Sequence, residues 1–275
     1  MVRPRIIATD MDDTCLLYDG TMSPRTFHMF NRAQAAGIET VIVTGRSAVY
    51  VKDMQLPNFH YAICCNGASV VDLHTNTTIL KDGFTREEAE VAWEIFSRYP
   101  DAFVEVAFTD DAVIAQKDYD RFESVPLMDY MKRSYRKHLI HVVPDLNQYF
   151  FEHIDQVEKI NCFRSGPAIT KAINDELRET GLFFINAAYD VDVLAIPKRY
   201  NKGKVLVKLA EKLAVPNEAV YAFGDGKNDV VMIEAAGCGV AMGNACEKVK
   251  ATAQYVCGTC QEDGLAAFIE ENFGI

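Results

Sequence analysis

The sequence predicts an α/β fold in which a parallel sheet is interrupted by an inserted α+β domain. Toward both ends of the chain, short apolar runs alternate with amphipathic helical segments, which is typical of a parallel sheet with right-handed crossovers. In the middle of the chain, neighbouring strands follow one another closely, which favours an antiparallel sheet. We expect residues 1–83 and 197–275 to form the first domain and residues 84–196 to form the inserted domain.

In the first part of the chain, each predicted strand leads into a helix or a turn. The apolar run Ile6–Ala8 predicts a strand that is buried on both faces. Ser23 is expected to cap a helix that has Pro24 in its first turn and ends at Gly37. Further buried strands are predicted at Thr40–Val43 and at Tyr61–Cys65, the latter closed by the turn Asn66–Gly67.

The inserted domain begins with a capping box, in which Thr85 and Glu88 precede an amphipathic helix. A hairpin is predicted around Asp110 and Asp111, and a helix is predicted from Pro167. Residues 118–153 have no clear periodicity and predict short helices and strands. The strands expected here are Phe103–Phe108, Ala112–Gln116, Lys159–Phe163, Leu182–Ala187 and Val191–Ile196, the last two flanking a turn at Ala188–Asp190.

After Pro197 the alternating pattern returns. A helix is predicted over Gly203–Leu213, with its apolar residues on one face. The remaining elements predicted are the strand Val220–Phe223, a helix after Asp229, the strand Cys238–Met242, a helix from Asn244, a short strand at Gln254–Val256 and a terminal helix.

Composition limits the kinds of partner that the chain can have. A net charge of −11 argues against nucleic acid or an anionic membrane, because both require a basic surface. No apolar stretch has the length of a membrane span, and the N-terminus lacks the apolar core of a signal peptide. The eight cysteines are scattered, which is typical of reduced thiols. We therefore expect a cytoplasmic protein with a small-molecule partner and no obligate protein partner.

Three carboxylates follow the first predicted strand within four positions: Asp10, Asp12 and Asp13. Open α/β sheets bind their ligands at the carboxyl ends of their strands. Because the three acids repel one another there, a bound cation would stabilise them. The alternative is an acidic surface loop. The stretch alone favours a functional cation site over such a loop only slightly.

Other polar residues are expected at the same edge of the sheet. Asp225 and Asp229 follow the strand Val220–Phe223, and carboxylates from two strand ends suit Mg²⁺. Thr44 follows another strand, and Lys202 stands at a helix start, where each could bind a phosphoryl group. A metal, a nucleophilic carboxylate, an acid/base carboxylate and a cation together indicate phosphoryl transfer through an aspartyl-phosphate.

The sequence resembles the haloacid dehalogenase superfamily, and specifically its Cof-type phosphatases, which insert a type IIB α+β cap into a Rossmann-like core. Each motif alone is weakly specific, but the motifs occur in family order over most of the chain. They are Asp10-Met11-Asp12-Asp13-Thr14, Thr44-Gly45-Arg46, Asn66-Gly67-Ala68, Asn201-Lys202-Gly203, the run from Gly224 to Asp229, and Glu262-Asp263-Gly264.

The resemblance implies a role for each matching residue. Asp10 would be the nucleophile, and Asp12 would protonate the leaving group and then activate water. Mg²⁺ would be held by the Asp10 carboxylate, the Asp12 carbonyl and the Asp225 carboxylate. Asp229 would be a further ligand or would contact the ligands. The phosphoryl group would be bound by Thr44, Gly45, Lys202 and Asn228. One departure from the family pattern is Asp13, which stands where the family usually has glycine.

Several residues near these motifs have more than one interpretation. Asn66 could contact substrate or could simply form a turn. Arg46 could reach substrate, although a surface ion pair is the favoured interpretation. Lys204 competes with Lys202 for the cationic role, and the motif favours Lys202.

The expected function is that of a Mg²⁺-dependent phosphatase acting on small phosphorylated metabolites, among which sugar phosphates are favoured. One alternative is a phosphomutase of the same superfamily, which would return the phosphoryl group to its substrate. A second alternative is a weakly catalytic binding or regulatory protein built on the same scaffold.

Overall fold

The computed structural model describes residues 1–54, 56, 58–125, 127, 129–137, 140–163, 165–185 and 192–275. Strands and helices alternate along this chain. The strands, numbered in chain order, are β1 (Ile6–Thr9), β2 (Glu39–Val43), β3 (Tyr61–Cys64), β4 (Ser69–Asp72), β5 (Thr77–Lys81), β6 (Phe103–Phe108), β7 (Asp111–Ala115), β8 (His141–Val143), β9 (Val157–Phe163), β10 (Phe183–Ile185), β11 (Asp192–Pro197), β12 (Val220–Gly224), β13 (Cys238–Ala241) and β14 (Tyr255–Val256).

The helices flank these strands, and several begin with the caps that the sequence predicts. Ser23 accepts a hydrogen bond from the Thr26 N–H at the start of the first helix. The helices are α1 (Pro24–Ala35), α2 (Ala48–Asp53), α3 (Arg86–Ser97), α4 (Gln116–Tyr119), α5 (Asp129–Arg136), α6 (Leu146–Glu152), α7 (Pro167–Glu179), α8 (Lys202–Lys212), α9 (Val230–Ala235), α10 (Glu247–Thr252) and α11 (Gly264–Phe273).

The chain folds into two compact units. The first comprises Met1–Gly45, Gln55–Leu80 and Tyr200–Ile275, and the second comprises Arg46–Met54 and Lys81–Arg199. The sequence placed residues 46–54 in the first domain. In the structure this segment packs within the second unit, where the Tyr50 hydroxyl donates a 2.6 Å hydrogen bond to Glu105 on β6.

The sheet of the first unit has the strand order β14-β13-β12-β1-β2-β3-β4-β5. From β14 to β3 the neighbouring strands are parallel, and β4 then pairs with β3 in the antiparallel direction. All four residues of β1 are buried, as expected for a central strand covered on both faces. The strands β4 and β5, which are short and follow the turn at Asn66, were not predicted from the sequence.

The sheet of the second unit has the strand order β10-β11-β9-β6-β7-β8 and is antiparallel except between β7 and β8. Helices α3, α6 and α7 contribute apolar side chains to the core on one face of this sheet, where Trp93 stacks on Phe150 with ring centroids 4.3 Å apart. A second cluster, which includes Phe103 and Tyr135, packs on the other face. The predicted α/β fold with an inserted α+β domain is therefore confirmed.

Some predicted boundaries were wrong. The helix expected from Asn244 begins at Glu247, because the residues before it form a turn. Gln116, expected in a strand, begins the short helix α4. The predicted turn at Ala188–Asp190 lies outside the described residues, as do the inner ends of the two strands expected beside it. No helix within the described ranges is long and apolar enough to cross a membrane.

Candidate active site

Three carboxylates meet at the carboxyl edge of the first sheet. Asp10 follows β1 and Asp225 follows β12, and these two strands are parallel neighbours. Asp229 lies in the helical turn that leads into α9. Each of the three residues offers a carboxylate oxygen, and these oxygens all lie within 4.8 Å of one another. The structure thus brings together side chains that are separated by more than 200 positions in the sequence.

Lys202 lies between two of these acids. Its side chain is only 1% exposed, and Nζ donates hydrogen bonds of 2.6 Å to Oδ1 of Asp10 and to Oδ1 of Asp229. Lys202 is the first residue of α8, which begins at the cap residue Asn201. Lys204 is exposed, and its backbone N–H donates to the Asn201 side chain. Lys202 is therefore the lysine that neutralises charge at this site.

Asp229 is held by donors on both of its carboxylate oxygens. While Oδ1 accepts from Lys202, Oδ2 accepts from the backbone N–H groups of Asp225 at 3.1 Å and Gly226 at 2.9 Å. A Cβ at Gly224 would lie 2.5 Å from the Cβ of Asp229, so only glycine lets this side chain fold back onto its own loop. Asp229 consequently fixes the shape of the loop that carries Asp225.

The Asp225 carboxylate is oriented from the other loop. The buried Thr14 hydroxyl donates a 2.7 Å hydrogen bond to Asp225 Oδ1. Thr14 belongs to one of the sequence motifs, but no role was predicted for it. A hydroxyl four residues after Asp10, on a loop expected at the same sheet edge, was the signal that could have identified it.

The pKa values of these groups show how strongly the site is charged. Burial, and then the charge of Asp229, raise the pKa of Asp10 well above its usual range, although Lys202 opposes this. Burial raises the pKa of Asp225 to about 7, although the Thr14 hydrogen bond opposes this. Burial alone would lower the pKa of Lys202, but the carboxylates of Asp10 and Asp229 more than offset that effect and raise it.

The donor set fits a hard divalent cation. Three carboxylates and one ammonium group leave an excess of two negative charges when all four are ionised. Carboxylate oxygens are the ligands that Mg²⁺ and Ca²⁺ prefer. Burial raises the pKa values of Asp10 and Asp225, and a cation bound beside them would stabilise the ionised form of each.

Four of the predicted phosphate or substrate residues lie in three loops of the same unit, which follow β2, β3 and β12. Thr44 is buried at the end of β2, and its carbonyl accepts from the Asn66 N–H at 2.9 Å. The Asn228 amide donates to Asn66 Oδ1 at 3.1 Å. A Cβ at Gly45 would lie 3.2 Å from the Asn66 amide, which shows how closely Gly45 approaches that side chain. Asn66 and Asn228 are therefore hydrogen-bonded to each other, and Gly45 packs against the Asn66 amide.

The remaining predicted residues lie outside the cluster formed by the carboxylates of Asp10, Asp225 and Asp229. The Asp12 side chain is exposed and its backbone is extended, with φ −66° and ψ 127°. Asp13 has a left-handed backbone conformation, with φ +60° and ψ 11°. Arg46 belongs to the second unit, where its Nη1 lies 3.1 Å from Met54 Sδ. Its contact with substrate stays a prediction.

The fold and the site together define a class of protein. The sequence model of the haloacid dehalogenase-like hydrolases matches residues 7–269, so the chain belongs to that family. Two curated relatives are each 30% identical over 281 residues. Pyridoxal phosphate phosphatase YbhA of Escherichia coli aligns with 96% of this chain and 97% of its own length. The 5-amino-6-(5-phospho-D-ribitylamino)uracil phosphatase YitU of Bacillus subtilis aligns with 99% of both chains.

Solved structures show the same fold. A haloacid dehalogenase-like hydrolase from B. subtilis superimposes with a TM-score of 0.79 at 26% identity, over 98% of this chain and 99% of the other. A hydrolase of the same type from Bacteroides thetaiotaomicron has a TM-score of 0.79 at 24% identity, over 98% and 100%. The predicted family is thus confirmed, as is the predicted enzyme class, a hydrolase whose relatives are phosphatases.

Proposed function

We propose that this protein is a Mg²⁺-dependent phosphatase that hydrolyses small phosphorylated metabolites through an aspartyl-phosphate on Asp10. The observation that carries the proposal is the buried ammonium group of Lys202, which lies 2.6 Å from both Asp10 and Asp229. Asp225 belongs to the same cluster of three carboxylates. This arrangement combines a nucleophile, a cation-binding set and a fixed positive charge.

The metal would be held by residues of the two loops. Asp10, Asp225 and the carbonyl of Asp12 would be ligands, and Asp229 would be a ligand or would support them. When bound, Mg²⁺ would offset the repulsion between an anionic nucleophile and an anionic substrate. Thr14 supports this role because its hydroxyl fixes the orientation of the Asp225 carboxylate.

In the first half-reaction, a carboxylate oxygen of Asp10 forms a bond to phosphorus while the bond to the leaving oxygen breaks. Lys202 donates to Asp10 Oδ1, and Oδ2 would be the oxygen that attacks phosphorus. Asp12 gives its proton to the leaving oxygen, which departs as an alcohol. The exposed side chain of Asp12 supports this role, since it can meet both substrate and water.

In the second half-reaction, Asp12 accepts a proton from a water molecule that attacks phosphorus. The Asp10–phosphorus bond breaks, and inorganic phosphate leaves. Thr44, Gly45, Lys202 and Asn228 would bind the phosphoryl oxygens throughout, because hydrogen-bond donors fixed in advance stabilise charge that develops in the transition state. Asn66, which is hydrogen-bonded to Asn228, and Arg46 would contact the substrate.

The substrates would be phosphate monoesters of small metabolites, and sugar phosphates are the ones we favour. The relatives named above act on pyridoxal phosphate and on a phosphorylated ribitylaminouracil, and both compounds carry their phosphate on a small organic group. The net charge of −11 supports a small-molecule substrate rather than nucleic acid. The free cysteines support a cytoplasmic location. We assign catalysis to residues 1–83 and 197–275 and substrate choice to residues 84–196.

A phosphate-release screen tests the proposal. The panel contains sugar phosphates, pyridoxal phosphate and the phosphorylated ribitylaminouracil, each with Mg²⁺ and with EDTA. We expect at least one substrate to release phosphate only with Mg²⁺, and Asp10→Asn to lower that rate by at least about 10³-fold. The control Asp19→Asn alters an exposed acid whose carboxylate accepts hydrogen bonds from the N–H and hydroxyl of Thr21, and it should keep the wild-type rate.

Product analysis and binding measurements on the same panel separate the alternatives. Isomerised product without free phosphate would indicate a phosphomutase. Metabolite binding without turnover would indicate a regulatory protein. Unchanged phosphate release by Asp10→Asn would refute the assignment of the nucleophile.

A further inference from the structure

A turn that follows β13 contacts both loops that carry the acids. The Asn244 side chain uses both ends of its amide: Nδ2 donates to the Asp13 carbonyl at 2.8 Å, and Oδ1 accepts from the Cys260 N–H at 2.9 Å. Two residues later, the Cys246 N–H donates to the Asp225 carbonyl at 3.0 Å. The turn therefore ties the Asp10 loop and the Asp225 loop to one short segment of backbone.

The carbonyl that accepts the hydrogen bond from Asn244 belongs to Asp13, which has the least favourable backbone conformation of its loop. Asp13 has φ +60°, a left-handed conformation that glycine adopts readily and a residue with a Cβ adopts at a cost. Aspartate tolerates this conformation better than most residues but does not prefer it. The hydrogen bond from Asn244 selects this conformation because it fixes the direction of the Asp13 carbonyl.

The neighbours of Asp13 are the groups on which the reaction depends. Asp10 and Asp12 precede it, and Thr14, which binds Asp225, follows it directly. A change of φ at Asp13 would turn these residues relative to one another. Displacing a reacting group by about 1 Å can slow an enzyme by about 10²-fold.

We propose that Asn244 is a positioning residue, which holds Asp13 in its left-handed conformation and thereby sets the relative placement of Asp10, Asp12 and Thr14. The proposal rests on the proposed phosphatase function for its kinetic consequence. It also predicts an effect on divalent-metal binding that can be measured without substrate. The positioning role of Asn244 and the phosphatase function can therefore fail separately.

The test is Asn244→Ala, measured by calorimetric titration of the metal-free protein with Mg²⁺ and by steady-state kinetics. We expect the Kd for Mg²⁺ to rise by about 10-fold or more, as for other residues that orient metal ligands. At saturating Mg²⁺, kcat should fall by about 10–100-fold, while KM changes by less than about threefold, because the loss lies in the geometry of the reaction.

The matched control is Asn217→Ala. Asn217 also donates from its amide to a backbone carbonyl, that of Ala235 at 3.1 Å, and it lies in the same unit, before β12. Its loss should lower the melting temperature without changing the Kd for Mg²⁺ or kcat. A fall in melting temperature with an unchanged Kd and kcat in Asn244→Ala would refute the proposal and leave Asn244 a purely structural residue.

A double-mutant cycle with Asp13→Gly tests the link to the backbone. Because glycine adopts φ +60° without the penalty of a Cβ, removing Asn244 should cost less in this background than in the wild type. An equal loss in both backgrounds would overturn the role assigned to Asp13. If Asn244→Ala does not fold, Asn244→Asp keeps the acceptor for Cys260 and puts a charged oxygen in place of the donor to Asp13, and its kcat decides in the same way.

Discussion

At the scale of single residues, the site is organised by charge balance around Lys202. Its ammonium group is almost fully buried and is bonded to one carboxylate on the β1 loop and one on the β12 loop. A buried charge without a partner is strongly destabilising, because it has lost its hydration without compensation. The three side chains therefore depend on one another for stability as well as for the proposed chemistry.

Replacing this lysine should destabilise the metal-free protein. We expect Lys202→Met to lower the free energy of unfolding by about 3–5 kcal/mol, because the buried carboxylate of Asp229 and the partly buried one of Asp10 lose their partner. Mg²⁺ should restore part of that loss, since the cation neutralises the same carboxylates. Urea unfolding with EDTA and with Mg²⁺ measures both effects, and Lys204→Met on the exposed side of α8 is the control.

The destabilisation should also depend on pH. The pKa of Asp10 is already raised by burial and by Asp229, and loss of Lys202 would raise it further. A carboxyl group with a raised pKa binds more protons in the folded state, so stability falls as pH rises above the ordinary value of about 4. Lys202→Met should therefore lose more stability at about pH 8 than at about pH 5. An equal loss at both would contradict the charge argument.

At the scale of helices and strands, the ends of the elements were predictable where they carry a local signal. Thr85 and Glu88 form the capping box that their spacing predicts, with the Glu88 N–H donating to Thr85 Oγ1 at 3.2 Å and the Thr85 N–H donating to Glu88 Oε2 at 2.8 Å. The strands β1 and β12 end at the predicted acids because apolar runs stop abruptly there.

The capping box should stabilise the second unit measurably. Thr85→Ala removes the side-chain acceptor at the start of α3 and should lower the free energy of unfolding by about 1 kcal/mol. Trp93, the single tryptophan of the chain, lies in α3 and stacks on Phe150, so its fluorescence reports this unit. Thr85→Ser keeps the hydroxyl and should retain most of the stability. Equal losses in the two variants would show that the methyl group matters more than the cap.

Other features could not be predicted at this scale because they have no periodic pattern. The hydrogen bonds of Thr14 and Asn244 join loops that are distant in sequence, so neither spacing nor propensity reveals them. Asn244 was instead predicted at the start of a helix, whereas the structure places it in the turn before α10. The strands β4 and β5 were missed since short strands after a turn resemble a loop.

At the scale of the whole molecule, the order of the elements was predicted better than their grouping. Right-handed crossovers between parallel strands restrict the possible topologies to a few, and β1 lies between β12 and β2 as that rule allows. The packing of Arg46–Met54 within the second unit could not be predicted, because it depends on contacts such as the one between Tyr50 and Glu105.

The central claim is that side chains from two strand ends of the first unit share one divalent cation. Anomalous diffraction from a crystal soaked with Mn²⁺, which has the same preference for oxygen ligands as Mg²⁺, tests it most directly. We expect a strong peak in contact with carboxylate oxygens of both Asp10 and Asp225. A peak at another place, or a peak that touches only one of these two carboxylates, would contradict the account.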